Sequence, residues 1–195
     1  MNKKGQAAAI TLIVLVVAIL FIGMWIAGSY NTLVNKDVSV EGQWGKVQSA
    51  YERRLDLIPN LVATVKGSAN FEQETQTQIA ALRGGIKNAK TVSEMQTVDN
   101  KMASLISGIN VQIEAYPDLK STENFRALQD ELAGTENRIK WERDNYNDLV
   151  KDYKASVRSF PSNIIAGMFG FSVDKWEMFA SKEGAENAPT VDFSQ

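Results

Sequence analysis

Residues 7–27 read AAAITLIVLVVAILFIGMWIA, and this stretch decides the architecture of the chain. Residues 5–35 contain no charged side chain. As a helix rising about 1.5 Å per residue, residues 7–27 reach about 30 Å, the thickness of a bilayer's hydrocarbon core. Trp25 and Tyr30 lie at the C-terminal edge, where aromatic rings favour the membrane–water interface. The stretch therefore predicts a single transmembrane helix over residues 7–29, preceded by a short flank, residues 1–6.

Three other interpretations of this segment remain open. It could be the core helix of a globular domain, or a signal sequence cleaved at the small residues Ala27-Gly28-Ser29. The start KKGQAAAI, residues 3–10, also resembles the archaeal type IV pilin signal, which is processed after the glycine, here Gly5. Thr11 stands where such pilins usually carry a glutamate.

Composition excludes several classes of protein. The chain has 21 Lys+Arg against 23 Asp+Glu, so it lacks the basic field that attracts nucleic acid. It has no cysteine and no histidine, which removes thiolate and imidazole ligands, disulfides and the usual nucleophile–base pairs. No phosphate loop or dinucleotide fingerprint is present. We expect no enzymatic activity, no cofactor, no metal and no small-molecule substrate.

Four later stretches repeat apolar residues every three or four positions, as one face of a helix does. They run from Trp44 to Val65, from an Asn70 cap to Ile86, from the capping box Thr91-x-x-Glu94 to Tyr116, and from a Ser121 or Thr122 cap to Val157. Pro59 predicts a kink or short break in the first stretch, and Gly84-Gly85 weaken the second.

These patterns predict an all-α fold. An N-terminal transmembrane helix precedes an antiparallel four-helix bundle of long helices, residues 30–161, packed in the manner of a coiled coil. An irregular apolar C-terminal tail follows, residues 162–195. Because four helices of alternating direction return the chain to the bilayer end, we expect the tail to pack near the membrane. It either dips into the lipid interface, or contacts a neighbouring anchor helix, or folds back over the end of the bundle.

The densest mixture of polar and apolar residues is RRLDLIPNLV, residues 53–62. Its paired arginines could bind carboxylate or phosphate groups. The simpler interpretation is internal: one arginine pairs with Glu136 or Glu142 on the fourth helix. Glu136, Glu142 and Asp152 alternate with Lys140, Arg143 and Lys151, a pattern typical of a solvated, mutually paired face.

Several motifs resemble the LemA family, in order and over nearly the whole chain. They are RRxDLIPNLV at 53–62, YPDLK at 116–120, NFxxL at 124–128, LxxTENRI at 132–139, RxxYN at 143–147, FP at 160–161 and PxVxF at 189–193. The resemblance implies a bacterial or archaeal single-pass protein of the cell (inner) membrane, with a helical bundle and no established enzymatic activity. One relative is associated with magnetosome membranes, and others neighbour membrane proteases.

Two sets of candidate residues follow. The first set shares the family motifs and predicts an interaction surface or a lock within the bundle: Arg53, Arg54, Asp56, Pro59, Asn60, Glu136, Asn137, Arg138 and Tyr146. The second set is aromatic and is expected at the membrane interface: Trp25, Tyr30, Phe169, Phe171 and Trp176.

The leading hypothesis for function is a non-enzymatic, membrane-anchored scaffold in membrane organisation or protein assembly. Its partners would be the lipid bilayer and either a second copy, forming a homo-oligomer, or another membrane protein. Lys3, Lys4 and the terminal amine against Lys36 and Lys46 favour a cytoplasmic N-terminus and a bundle on the outer, periplasmic side. The alternatives are a pilin-like filament subunit processed after Gly5 and a hydrolase that uses carboxylates alone.

Overall fold

The computed structural model describes residues 3–64, 69–114 and 122–180. These residues form five helices and no strand, which confirms the all-α prediction. In chain order the helices are α1 (Lys3–Thr64), α2 (Ala69–Asn88), α3 (Val92–Glu114), α4 (Glu123–Arg158) and α5 (Ser162–Phe169).

The chain divides into two compact units. The first, here called the anchor unit, contains Met1–Trp44 and Asp148–Trp176. The second, here called the bundle unit, contains Gly45–Asn147 and Glu177–Gln195. Helices α1 and α4 contribute to both units, α2 and α3 belong to the bundle unit, and α5 belongs to the anchor unit.

Helix α1 contains both the uncharged stretch and the first apolar stripe of the bundle. Among the described helices, α1 alone is long and apolar enough to cross a bilayer, and the most apolar part of it is not buried. Apolar side chains such as Leu12, Ile19 and Phe21 are exposed there. Such a surface is unfavourable in water and favourable in lipid.

Four helices pack antiparallel in the bundle unit. Along α1, Gln48 donates to the carbonyl of Ile86 while Asp56, further on, pairs with the earlier Arg83. Likewise Arg54 of α1 pairs with Glu136 of α4, whereas the earlier Tyr51 meets the later Arg143. Two helices run antiparallel when later residues of one contact earlier residues of the other, as in these two pairs.

The apolar stripes face the core of the bundle unit as predicted. Their buried members are Val47, Tyr51, Leu55, Ile58 and Val62 of α1, Ile79, Leu82 and Ile86 of α2, Met95, Val98, Met102, Leu105, Ile109 and Ile113 of α3, and Phe125, Leu132, Thr135, Ile139 and Tyr146 of α4. Burying a large apolar side chain stabilises a fold by roughly 1.5–3 kcal/mol, so these stripes dominate the packing energy.

Helix starts also follow the sequence. The Glu94 amide donates to Thr91 Oγ1 over 3.2 Å, and Glu94 Oε2 accepts from the Thr91 and Lys90 amides. These backbone bonds to the carboxylate lower the pKa of Glu94. At the start of α4, the Phe125 amide donates to Thr122 Oγ1. The side chain of Asn70 and residues Ser121 and Tyr116 lie outside what the structure describes.

Pro59 does not break the helix, and α1 continues through it to Thr64. A kink at this position stays a prediction. An internal proline costs about 3 kcal/mol in a helix. Leu57, Ile58, Leu61 and Val62 around it are all buried, so their packing offsets that cost.

Helix α2 likewise continues past Gly84-Gly85 to Asn88. A Cβ built on Gly85 would lie 2.9 Å from Val98 Cγ2 of α3, whereas one on Gly84 would meet nothing within 4 Å. The absent side chain at position 85 thus lets α2 and α3 approach closely.

We expect Gly84→Ala to stabilise the protein by about 0.5–1 kcal/mol, because alanine lowers the backbone entropy lost in a helix. The free energy of unfolding of Gly85→Ala should be about 1 kcal/mol or more below that of Gly84→Ala. The reason is that the Val98 side chain is β-branched and cannot rotate freely away from an added methyl group. Chemical unfolding in detergent, followed by far-UV circular dichroism, measures the difference. Equal stabilities of the two variants would contradict a close contact at Gly85.

In the anchor unit, the first part of the C-terminal tail packs on α1. The Tyr30 ring lies 4.8 Å from the Phe169 ring and 5.9 Å from the Phe171 ring, measured between centroids. Asp37 accepts bonds from Lys175 Nζ at 2.6 Å and from Trp176 Nε1 at 2.8 Å. Burial, and then the charge of Asp37, raise the pKa of the nearby Tyr153.

The tail predicted as irregular begins with the short helix α5. Gly170 ends this helix in a left-handed conformation, with φ of 78°, and the Phe171 amide donates to the Ala166 carbonyl over 2.9 Å. Glycine adopts this conformation without steric cost. From Gly170 to Ala180 the described chain is irregular.

Candidate interaction site

A polar cluster of Tyr51, Arg54, Asp99 and Arg143, here called the arginine cluster, joins three helices of the bundle unit. Arg143 Nη2 lies 2.8 Å from Asp99 Oδ2 and also donates to the Tyr51 hydroxyl. Its guanidinium lies over two rings, 5.3 Å from the centroid of Tyr51 and 4.8 Å from that of Phe179. Arg143 therefore links α1, α3 and the tail segment to α4.

Arg54 extends the cluster toward the surface. Its Nη1 lies 2.6 Å from Glu136 Oε2 and 3.9 Å from Asp99 Oδ1. Glu136 is one of the two acids that the sequence analysis proposed as partners for the arginine pair. Its carboxylate is about half exposed, whereas Arg54 is mostly buried.

The expectation that Glu142 and Arg143 belong to a solvated face of α4 is wrong. The Glu142 side chain is only 2% exposed and pairs with Arg138 one turn earlier, Oε1 to Nη2 at 2.6 Å. Arg143 points to Asp99 and Tyr51 across the helices. Helical spacing gives the side on which a residue lies, but a long charged side chain at the edge of the apolar stripe can reach inward.

Asp99 and Tyr51 were not among the predicted site residues. Tyr51 lies in an apolar stripe and was interpreted as core, and Asp99 directly follows the stripe residue Val98. A search for polar groups within or next to the apolar stripes could have found both residues. Burial is the main cause that raises the pKa of Tyr51, and the Arg143 charge opposes it. The hydroxyl therefore stays protonated and serves hydrogen bonding.

A second polar contact ties the tail to α4 within the bundle unit. The Asn147 side chain accepts from the Phe179 amide at 2.8 Å and donates to the Phe179 carbonyl at 3.0 Å. The Phe179 ring meets Tyr146 edge-on, with centroids 5.5 Å apart. Burial, and then the charge of Glu177, raise the pKa of Tyr146 to about 12. Tyr146 is thus a packing residue and not a surface one.

Several of the other predicted residues lie on the surface. Arg53, with its side chain 70% exposed, pairs with Glu131 at 3.2 Å, and Asp56 pairs with Arg83 at 2.7 Å. Asn60 and Asn137 are exposed. Exposed ion pairs contribute about 0–1 kcal/mol each to the free energy of unfolding. These residues therefore add little to stability and are accessible for contacts with another molecule.

A groove of about 550 Å³ lies between α1 and α4 in the bundle unit. Small residues form part of its lining, among them Ser49, Ala50 and Gly134. Its remaining lining residues carry charges or hydroxyls: Lys46, Arg53, Glu131, Thr135, Arg138 and Glu142. Two of the predicted interaction residues, Arg53 and Arg138, therefore line one concave surface.

Trp141 lies on α4 next to this groove and is 53% exposed. The Arg138 guanidinium covers part of its ring, 4.7 Å from the centroid. Tryptophan and arginine are the residue types that most often dominate binding energy at protein interfaces. Trp141 is not among the site residues predicted from the sequence, although it lies outside the apolar stripe, on a helix whose outer face is otherwise polar.

The described residues give no sign of a metal site, since residues 3–64, 69–114 and 122–180 contain no group of three or more carboxylates placed to hold an ion. Taken together, the helices and the exposed uncharged stretch of α1 fit an all-α protein of the membrane-associated class. The chain belongs to the LemA family, whose sequence model matches residues 43–193.

Three named proteins from two organisms are similar to this chain. Protein LemA of Metamycoplasma hominis is 26% identical over 141 residues, which cover 71% of this chain and 64% of that protein. Magnetosome proteins MamQ 1 and MamQ 2 of Paramagnetospirillum magneticum are each 21% identical over 212 aligned positions, covering 94% of this chain and 76% of theirs. None of these names denotes an enzyme, and together with the apolar helix they fit a membrane protein.

Proposed function

We propose that this chain is a non-enzymatic, membrane-anchored helical scaffold that associates with a second copy of itself. The observation that carries the proposal is the exposed Trp141, covered in part by Arg138, beside the α1–α4 groove. The uncharged stretch of α1 tethers the chain to a bacterial or archaeal cell membrane as a single span. The bundle lies on the outer side, in keeping with Lys3, Lys4 and the terminal amine on the other flank.

A second copy suits this surface because the groove carries both signs of charge. Lys46, Arg53 and Arg138 stand beside the partly exposed Glu131, so each copy offers charges of both signs to the other. In a twofold dimer each copy presents the same patch, and Trp141 of one copy would enter the groove of the other, where small residues leave room. Anchoring both copies in one membrane keeps them parallel and raises their effective concentration.

A role in membrane organisation or protein assembly agrees with this chemistry. A scaffold needs a stable, exposed surface and no reactive group. Two relatives are named as magnetosome proteins, which is in keeping with a role at a membrane.

The test measures the molar mass of detergent-extracted protein over a range of concentrations, by size exclusion with light scattering. We expect the unmodified chain to form a dimer or larger species. Trp141→Ala should weaken association about tenfold or more, as loss of an interface anchor does. Lys140→Ala is the matched control, since Lys140 is the exposed neighbour of Trp141 on the same helix.

Two outcomes would contradict the proposal. One is a monomer at every concentration, both in detergent and after crosslinking in native membranes. The other is a Trp141→Ala variant that associates as well as the Lys140→Ala control. Far-UV circular dichroism of both variants checks that the helices are intact.

A further inference from the structure

Helix α5 carries apolar side chains on two faces. Ile165 and Ala166 are buried. Ile164 and Met168, one turn apart and therefore on one face, are exposed, Met168 by 68%. A helix that only covered the rest of the protein would present polar residues on its outer face. An exposed apolar face of this kind is favourable only when apolar surroundings cover it.

The surroundings of this outer face are uncharged. Residues 159–173 contain no charged side chain. They do contain glycines and exposed aromatic side chains. Phe160, just before α5, is 81% exposed, and Phe169 at its end is 51% exposed. Lipid is the environment in which such a surface is favourable.

Contacts within the anchor unit fix the level of α5 along α1. The Phe169 ring lies 4.8 Å from the Tyr30 ring. Tyr30 follows the end of the apolar stretch, Ala27, by three residues, which is about 4.5 Å along a helix axis. The headgroup layer on each side of a bilayer is roughly 5–7 Å thick. The Tyr30–Phe169 contact thus falls at the depth of that layer.

A polar contact lies further from the bilayer centre than the Tyr30–Phe169 contact. Asp37, which accepts bonds from Lys175 and Trp176, lies ten residues beyond Ala27, about 15 Å further along the axis. Charged groups of the tail therefore meet α1 above the headgroup layer, while its uncharged part meets α1 within that layer. The two contacts orient the segment across the boundary.

We propose that α5 is an interfacial helix, which lies in the bilayer surface beside the anchor and inserts Ile164 and Met168 among the upper acyl chains of phospholipids. The proposal rests on the membrane anchoring proposed above. It adds a second, lateral membrane contact, and the lipids of the same membrane are the binding partner. Amphipathic surface helices commonly bury their apolar face about 5–10 Å deep.

The absence of cysteine from the chain permits a direct test. A single cysteine is introduced as Met168→Cys, labelled with an environment-sensitive fluorophore, and the full-length protein is reconstituted into phosphatidylcholine vesicles. Quenching by lipids with a nitroxide near the headgroup should lower its emission about twofold more than lipids with a nitroxide deep in the chain. Ile164→Cys provides an independent second position on the same face.

Two further labelled variants separate this inference from membrane anchoring itself. Val17→Cys lies within the apolar stretch, and Asn137→Cys lies on the exposed face of α4. If Val17→Cys is quenched by deep lipid labels while Met168→Cys and Ile164→Cys behave like Asn137→Cys, the interfacial helix is refuted and anchoring stands. If Val17→Cys also behaves like Asn137→Cys, the anchoring has failed. Labels at 164 and 168 that are shielded from both lipid and water would show cover by protein, which also overturns the inference.

Discussion

Arg143→Ala is expected to destabilise the protein by about 2–4 kcal/mol, because it removes the shared partner of two partly or fully buried groups. Asp99 would lose its bond of 2.8 Å, and the buried Tyr51 hydroxyl would lose its donor. The cation–π contacts with the Tyr51 and Phe179 rings would also be lost. Thermal or chemical unfolding of the full chain in detergent, followed by circular dichroism, gives the change.

Arg53→Ala is the control for this prediction, because Arg53 makes one exposed ion pair and should change the stability by about 0.5 kcal/mol or less. A second comparison combines Arg143→Met with Asp99→Leu. Since neither variant residue leaves a charge unpaired, the pair should recover part of the loss. If Arg143→Ala proves as mild as Arg53→Ala, the arginine cluster does not stabilise the bundle unit.

The double substitution Val16→Arg with Ile19→Arg is expected to release the chain from membranes. Both residues are exposed in the middle of the apolar stretch of α1. An arginine at the centre of a spanning helix costs about 2.5–3.5 kcal/mol, so two of them cost about 5–7 kcal/mol. The measurement is the fraction of protein that sediments with membranes after an alkaline wash.

The matched control is Val38→Arg with Val111→Arg, which adds the same charge at exposed positions outside the apolar stretch. This variant should stay in the membrane fraction. Retention of the Val16→Arg, Ile19→Arg variant at the level of this control would argue against a span. Processing after Gly5 stays a separate prediction, on which this experiment does not depend.

The helices of the bundle unit could be predicted well from the sequence. Burial of a helix face repeats every three or four residues, so Val47, Met95 and Ile139 could each be assigned to the core from spacing alone. Caps are equally local, because Thr91 and Glu94 satisfy each other's backbone amides within one turn. A short break was one of the two outcomes expected at Pro59, and it does not occur, since packing against neighbouring helices outweighed local propensity.

The candidate site was predicted only in part. The pair Arg54–Glu136 was among the expected combinations, but the role of Asp99, the burial of Glu142 and the exposed Trp141 were not. Spacing places a residue on a face of its helix and says nothing about which helix stands opposite or at what height. Arg143 finds partners 44 and 92 residues away, and no local rule connects those positions.

The apolar stretch of bilayer length, the helical class and the residues that face the core could all be predicted from the sequence, because they depend on composition and on the period of the helix. Which polar residues meet became clear only from the packed helices. The packing brings Arg143 to Asp99 and Tyr51, Asn147 to Phe179, and Phe169 to Tyr30. Such contacts depend on the register between elements, which is set only when the whole set of side chains packs together.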